Sequence, residues 1–111
     1  MANNFKRKLS SNVSNTFTTV GSYTVGAATQ TTIIGLTVTN KAASQIAVDV
    51  TLDNGTSNTF LVYGSPVPAG GAIVIVGGDQ KVVMETNDKI QVRTDTAGNT
   101  ADVIMSILEI T

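Results

Sequence analysis

Histidine, cysteine and tryptophan are all missing from this 111-residue sequence, and only 14% of its residues are charged. Without histidine, the commonest general acid–base group is gone and a serine triad cannot be assembled. Without cysteine there is no thiolate nucleophile, no disulfide and no thiolate metal site, so packing alone must hold the fold. A charged share well below the roughly 25% typical of soluble domains leaves little electrostatic repulsion to keep copies apart. The deficit is filled by Thr, Ser, Asn, Gln and Gly, the residues of strand surfaces and turns.

The remaining routes to chemistry are weak. Asp49 and Asp53 share one face of an alternating segment, but strand rise puts them about 13 Å apart, too far for paired-carboxylate hydrolysis. Gly70-Gly71 and Gly77-Gly78 read as turns between strands, with no following helix to cradle a phosphate. Asp53, Asn54, Asp79, Asn87 and Asp88 offer turn oxygens for calcium, yet no D-x-[DN]-x-[DN]-G loop occurs. The expectation is a non-enzyme with no catalytic residue, no metal and no cofactor. A sugar-binding module is the alternative of another class, and Tyr23, Phe60 and Tyr63 are the aromatic side chains it would use.

Formal net charge is −1, but the charges are segregated. Lys6, Arg7, Lys8 and Lys41 precede the first acidic residue, Asp49, and residues 49–111 carry three cations and all eight acids. The basic triplet would support only weak, salt-sensitive phosphate contact, and no basic face with interleaved aromatics follows it. Nucleic acid is therefore not favoured as a partner. The opening M-A-N-N-F-K-R-K-L lacks the apolar stretch of a signal peptide, and no segment approaches the roughly 20 apolar residues of a membrane helix. Synthesis in the cytoplasm and no membrane partner are expected.

From residue 16 onward the pattern is strands punctuated by turns. Ile46, Val48, Val50 and Leu52 alternate with Ala47, Asp49, Thr51 and Asp53, as a half-buried antiparallel strand requires, and Asp53-Asn54-Gly55 ends it as a tight turn. Eight strands are expected, over 16–24, 31–40, 46–53, 58–63, 72–76, 81–85, 89–94 and 101–110. Gly64 to Gly71, Gly77-Gly78-Asp79, Thr86-Asn87-Asp88 and Thr96 to Asn99 separate them. No helix-period segment of useful length is present. The fold class is all-β: one β-sandwich or jelly-roll-like domain of about eight antiparallel strands over residues 15–111, preceded by an extended arm. The final strand is apolar on both faces. Val103, Met105 and Ile107 suit the core, and Ile104, Leu108 and Ile110 form a second row that either another subunit or the chain's own loops would cover.

Residues 1–14 differ from the rest. Phe5, Leu9 and Val13 recur every four residues around Lys6, Arg7 and Lys8. The arm could be a short amphipathic helix, an extended segment in a partner's groove or a frayed terminus. The docking reading assigns partner contact to Phe5, Lys6, Arg7, Lys8, Leu9 and Val13.

The opening A-N-N-F-K-R-K-L, the phrase T-T-I-I-G-L-T-V-T-N, the turn P-V-P-A-G-G, the stretch G-G-D-Q-K-V-V-M-E-T-N-D-K-I-Q-V and the ending A-D-V-I-M-S-I-L-E-I-T span nearly the whole chain. In this order they resemble a family of small all-β virion structural proteins of tailed bacteriophages, especially those infecting marine bacteria and cyanobacteria. The resemblance implies a non-enzymatic role on the phage particle in many copies, as a homo-oligomer or beside other virion proteins. An arm ahead of a compact sandwich points to the neck or tail. A capsid cement protein clamping major capsid subunits is the alternative.

Overall fold

The computed structural model describes residues 3–77 and 80–111, and within them the chain is all-β. Gly78 and Asp79 of the expected turn after residue 77 lie outside the described residues. Nine strands occur among those described: β1 (Asn3–Val13), β2 (Thr18–Thr19), β3 (Gln30–Asn40), β4 (Ile46–Asp53), β5 (Asn58–Val67), β6 (Ala72–Val76), β7 (Val82–Met84), β8 (Lys89–Thr94) and β9 (Ala101–Ile110). They form two antiparallel sheets. One runs β1-β9-β3-β6, with β7 also pairing β3, and the other runs β2-β8-β4-β5.

The sandwich forms because each central strand alternates. On β9 the buried Val103, Met105 and Ile107 point inward, as the sequence implied, and on β4 Ile46, Val48 and Val50 do the same from the opposite sheet. Ile33, Leu36 and Val38 of β3 and Ile90 and Val92 of β8 complete the layer between the sheets. Burial of this kind contributes about 25 cal/mol per Å² of apolar surface, which stands in for the absent disulfides. Asn40 is buried without penalty because its Nδ2 donates to the carbonyls of Ser44 and Val67 and its Oδ1 accepts from the Ala42 amide.

Strands 46–53, 72–76, 89–94 and 101–110 fall at the bounds read from the sequence, β3 and β7 differ from theirs by no more than a single residue at either end, and three segments differ by more. β5 continues past the expected end at Tyr63 to Val67. It is an edge strand, where Pro66 sacrifices no ladder bond. The segment 16–24 forms only the two-residue β2 and then a 3-10 turn at Val20–Ser22, because Gly21 and Ser22 take positive φ and swing the chain around. The third difference is the arm. Residues 3–13 are neither helical nor free of the sandwich but form strand β1, paired with β9 from Asn3↔Ile110 to Val13↔Ala101. A spacing of four satisfies a strand as well as a helix, since Phe5 and Leu9 fall on one face of either.

The turn between β4 and β5 is closed by its own side chains. Asp53 Oδ1 accepts from the Gly55 amide, and Asn54 Oδ1 accepts from the amides of Thr56 and Ser57. Gly55 sits at φ +91 with open space around it.

Candidate interaction surface

Register fixes what the outer face of the five-stranded sheet carries. Directly opposite residues on antiparallel strands point the same way, with Cβ atoms about 5 Å apart. Phe5 lies opposite Leu108, Leu108 opposite Thr32 and Thr32 opposite Val83, a row crossing four strands. A second row runs Leu9, Ile104, Thr37, Val74. Between the rows lie Arg7, Ser106 and Gly35, and Asn3, Ile110 and Gln30 close the face at one end. Phe5 (75% exposed), Val74 (65%), Val83 (61%), Ile104 (54%) and Leu9 (49%) all stand on this surface. Leu108 and Ile110 beside them are half-buried. Arg7 is the charge between the two rows, and the Lys41–Asp102 ion pair lies beyond the second row at the end of the same face.

The other sheet is dressed differently. Its outer face pairs Arg93 with Asp49 at 2.8 Å and Lys89 with Asp53 at 3.8 Å, and the Arg93 guanidinium lies 4.2 Å from the centre of the Phe17 ring. Paired charges of this sort are at home in water. The two sheets therefore differ in kind on their outward faces, one ionic and one nearly uncharged.

The basic triplet is divided by the strand's alternation. Arg7 points outward, while Lys6 and Lys8 reach the other side of β1, toward the end of the sandwich. Lys6 Nζ lies 2.8 Å from Glu109 Oε1, and Lys8 Nζ sits 4.9 Å from the Tyr23 ring centre. The Tyr23 hydroxyl donates to Glu109 Oε2 at 2.6 Å. A phenol has a single proton to give, so the Thr31 hydroxyl, 2.7 Å away, donates to the Tyr23 oxygen. Burial, reinforced by the bond to Glu109, pushes the Tyr23 phenol up to about 12, while the Lys6 ammonium and then the Tyr23 hydroxyl hold the Glu109 carboxyl below its usual range.

At the other end of β1 the register slips between Ser10 and Val13, and Asn12 takes φ +61. The Asn12 amide donates to Asp102 Oδ1 at 3.0 Å, and Lys41 bonds both Asn12 Oδ1 and Asp102. The Asn12 amide and then Lys41 hold the Asp102 carboxyl below its ordinary value. The extra residue in this bulge turns Val13 from the outer face into the core, where it is fully buried. Val13 is thereby removed from the set of docking residues. Its carbonyl accepts from the Thr100 amide and hydroxyl, and the Ser14 carbonyl accepts from the Thr94 amide.

Of the aromatic residues proposed for sugar contact, Tyr23 is buried and unavailable. Phe60 and Tyr63 lie on β5 edge-to-face at 4.9 Å and 85°, which gives no common plane for a sugar ring. Among the described residues no group of three or more His, Cys, Asp or Glu side chains could hold a metal ion. A shallow open depression lined by Ala28, Thr29, Gln30, Thr86, Ile110 and Thr111 has no acidic side chain in its wall. No helix among the described residues is long and apolar enough to cross a membrane.

Sequence reasoning reached Phe5, Leu9, Ile104, Leu108 and Ile110 of this face and missed Val74 and Val83. Those two lie in the short strands A-I-V-I-V and V-V-M, apolar on both faces, where no alternation marks the outward residue. Glu109 was also missed, since its partner Lys6 is more than a hundred residues away.

No protein-family model matches the chain, and no curated protein matches it by sequence. Among solved structures, the chain is similar in fold to one from the acidic stable capsid structure of Helicobacter pylori bacteriophage KHP30. The TM-score is 0.58 at 9% identity, covering 100% of this chain and 94% of that one. A chain from the disulfide-linked pili of Bacillus endospore appendages gives a TM-score of 0.49 at 14% identity, covering 96% of this chain and 85% of that one.

Proposed function

We propose that this protein is a non-enzymatic structural subunit of a phage particle, present in many copies and joined to its neighbours through the outer face of the five-stranded sheet. The observation that carries the reading is that face, on which Phe5, Leu9, Val74, Val83 and Ile104 stand exposed around Arg7. Contiguous exposed apolar surface rimmed by polar residues marks an interaction site, and in a subunit that is always assembled it is never left in water. The second apolar row of β9 is accordingly covered by another subunit and not by the chain's own loops. The likeness in fold to a phage capsid chain of nearly the same length supports the virion reading. A neck or tail position, which the arm suggested, and a capsid cement role are the two placements this reading allows. Other virion proteins, or further copies of this chain, are the partners.

Quantitative mass spectrometry of purified particles tests the placement. Hundreds of copies per particle mean a capsid cement role, about six to twenty-four mean neck or tail, and absence from the particle ends the proposal. Ile104→Lys puts a second cation in the centre of the face. It is expected to abolish incorporation while changing folding stability by no more than about 0.5 kcal/mol, the usual range for a surface site. Gln91→Lys on the ionic sheet should incorporate normally.

A further inference from the structure

We propose that β1 is an exchangeable strand: in the assembled state its Asn3–Ser10 segment leaves its own β9 and pairs with β9 of a second copy of this chain. This rests on the multi-copy reading above and adds to the outer sheet face a second contact that assembly also requires.

The hold on β1 changes abruptly along its length. Val13 and Ser14 are fixed to the core by Thr94 and Thr100, whereas no side chain from Asn3 to Ser10 is fully buried. The bulge at Asn12 separates the two regimes, and a non-glycine residue at φ +61 is a natural place for the backbone to straighten. Segments with few buried contacts occupy the low-stability end of a protein and open first.

What β1 covers is specific. Beneath it lie the β9 edge with Met105 and Ile107, both fully buried. The groove wants a cation opposite Glu109, a second cation two residues on over the Tyr23 ring, and a hydroxyl two further for the Gly21 amide. Lys6, Lys8 and Ser10 supply these in turn, with Ser10 Oγ 2.9 Å from Gly21 N. The strand that matches this code is β1 itself, so the occupant is a second copy. Simple addition of β1 to β1 of a neighbour along their free edges would oppose two basic triplets, the usual defence of an edge strand. Exchange avoids that repulsion.

Exchange breaks and remakes the same contacts, so its balance is set by local concentration. A lone chain closes on itself. In a regular array neighbouring grooves are presented at an effective concentration of order millimolar. Eight extended residues reach about 26 Å, more than the 21 Å short axis of the molecule.

The cysteine-free background makes the test clean. Arg7 and Ser106 are directly opposite on the outer face, where Cα atoms of an antiparallel pair stand at a distance a disulfide can bridge. The oxidised double variant Arg7→Cys/Ser106→Cys has β1 tied to its own β9. It is expected to stay monomeric by light scattering, and out of particles, under conditions where the reduced form associates, with reductant restoring both. Mixing singly substituted Arg7→Cys and Ser106→Cys chains at millimolar concentration should give a covalent heterodimer. Arg7→Cys with Ile110→Cys, about 13 Å out of register, should give at least tenfold less. A tied chain that assembles as well as the reduced one, or mixed chains with no register-specific dimer, would overturn exchange. Either result leaves the virion reading standing, because that reading fails only if particles lack the wild-type protein.

Discussion

At Gly21 two constraints coincide. The residue sits at φ +59, and a Cβ there would fall 2.7 Å from the Lys8 Cβ and 3.2 Å from the Leu9 nitrogen. The 3-10 turn it belongs to presses directly on β1, and Ser10 Oγ bridges the two through the Gly21 amide and the Thr19 carbonyl. Gly21→Ala is therefore expected to lower stability by about 1–3 kcal/mol, the cost of a strained backbone and a displaced neighbour. Chemical denaturation checks this. Because the displaced neighbour is β1, hydrogen exchange should show the loss of protection concentrated in residues 3–10. The acceptance of a glycine by its surroundings could not be read from the sequence, since the atoms that exclude a side chain there come from Lys8 and Leu9, across a reversal of the chain.

At the scale of the strand, β1 is gripped at both ends by carboxylates, Glu109 through Lys6 and Asp102 through the Asn12 amide, with Lys41 beside it. Both have folded pKa values below their ordinary ones. Their stabilisation is complete above the unfolded values, about 4, and is lost as pH falls through the lower folded values. Tyr23, raised to about 12, works in the opposite sense: its contribution is complete below about 10 and is lost as pH climbs from there toward the folded value. Melting temperature measured from pH 3 to pH 11 should fall at both ends. Glu109→Gln should flatten the acid limb, and Tyr23→Phe the alkaline one. The strands that were legible in the sequence carry their own evidence: β4 alternates over eight residues and ends in Asn-Gly, and β9 shows two apolar rows. β1 was not legible as a strand because its apolar spacing fits two periodicities and its partner is at the far end of the chain. β5 was cut short by a proline that only an edge position tolerates. The outward face was legible on β1 and β9, where apolar and polar residues interleave, and not on β6 and β7, where they do not.

At the scale of the whole molecule, the contrast between the two outer faces matters more than any single contact. A sandwich with one ionic and one nearly uncharged side has a definite up and down when it lies on a larger surface, and the uncharged side is the one that loses water. The chain's low charge, unusual for a freely dissolved domain, is thus concentrated on the face proposed above for subunit contact, while ion pairs dress the other side. The self-closed turn at Asn54–Ser57 belongs to that wet sheet, and nothing crowds Gly55 at its tip. It is accordingly a display position: a short peptide epitope inserted after Gly55 should be readable by antibody on intact particles, with incorporation unchanged and melting shifted by only a few degrees. Failure of the antibody to reach it would mean that the ionic side is covered as well. A scaffold with a self-closed turn on one side and the proposed contact face on the other could be loaded through that turn without touching β1, β3, β6, β7 or β9.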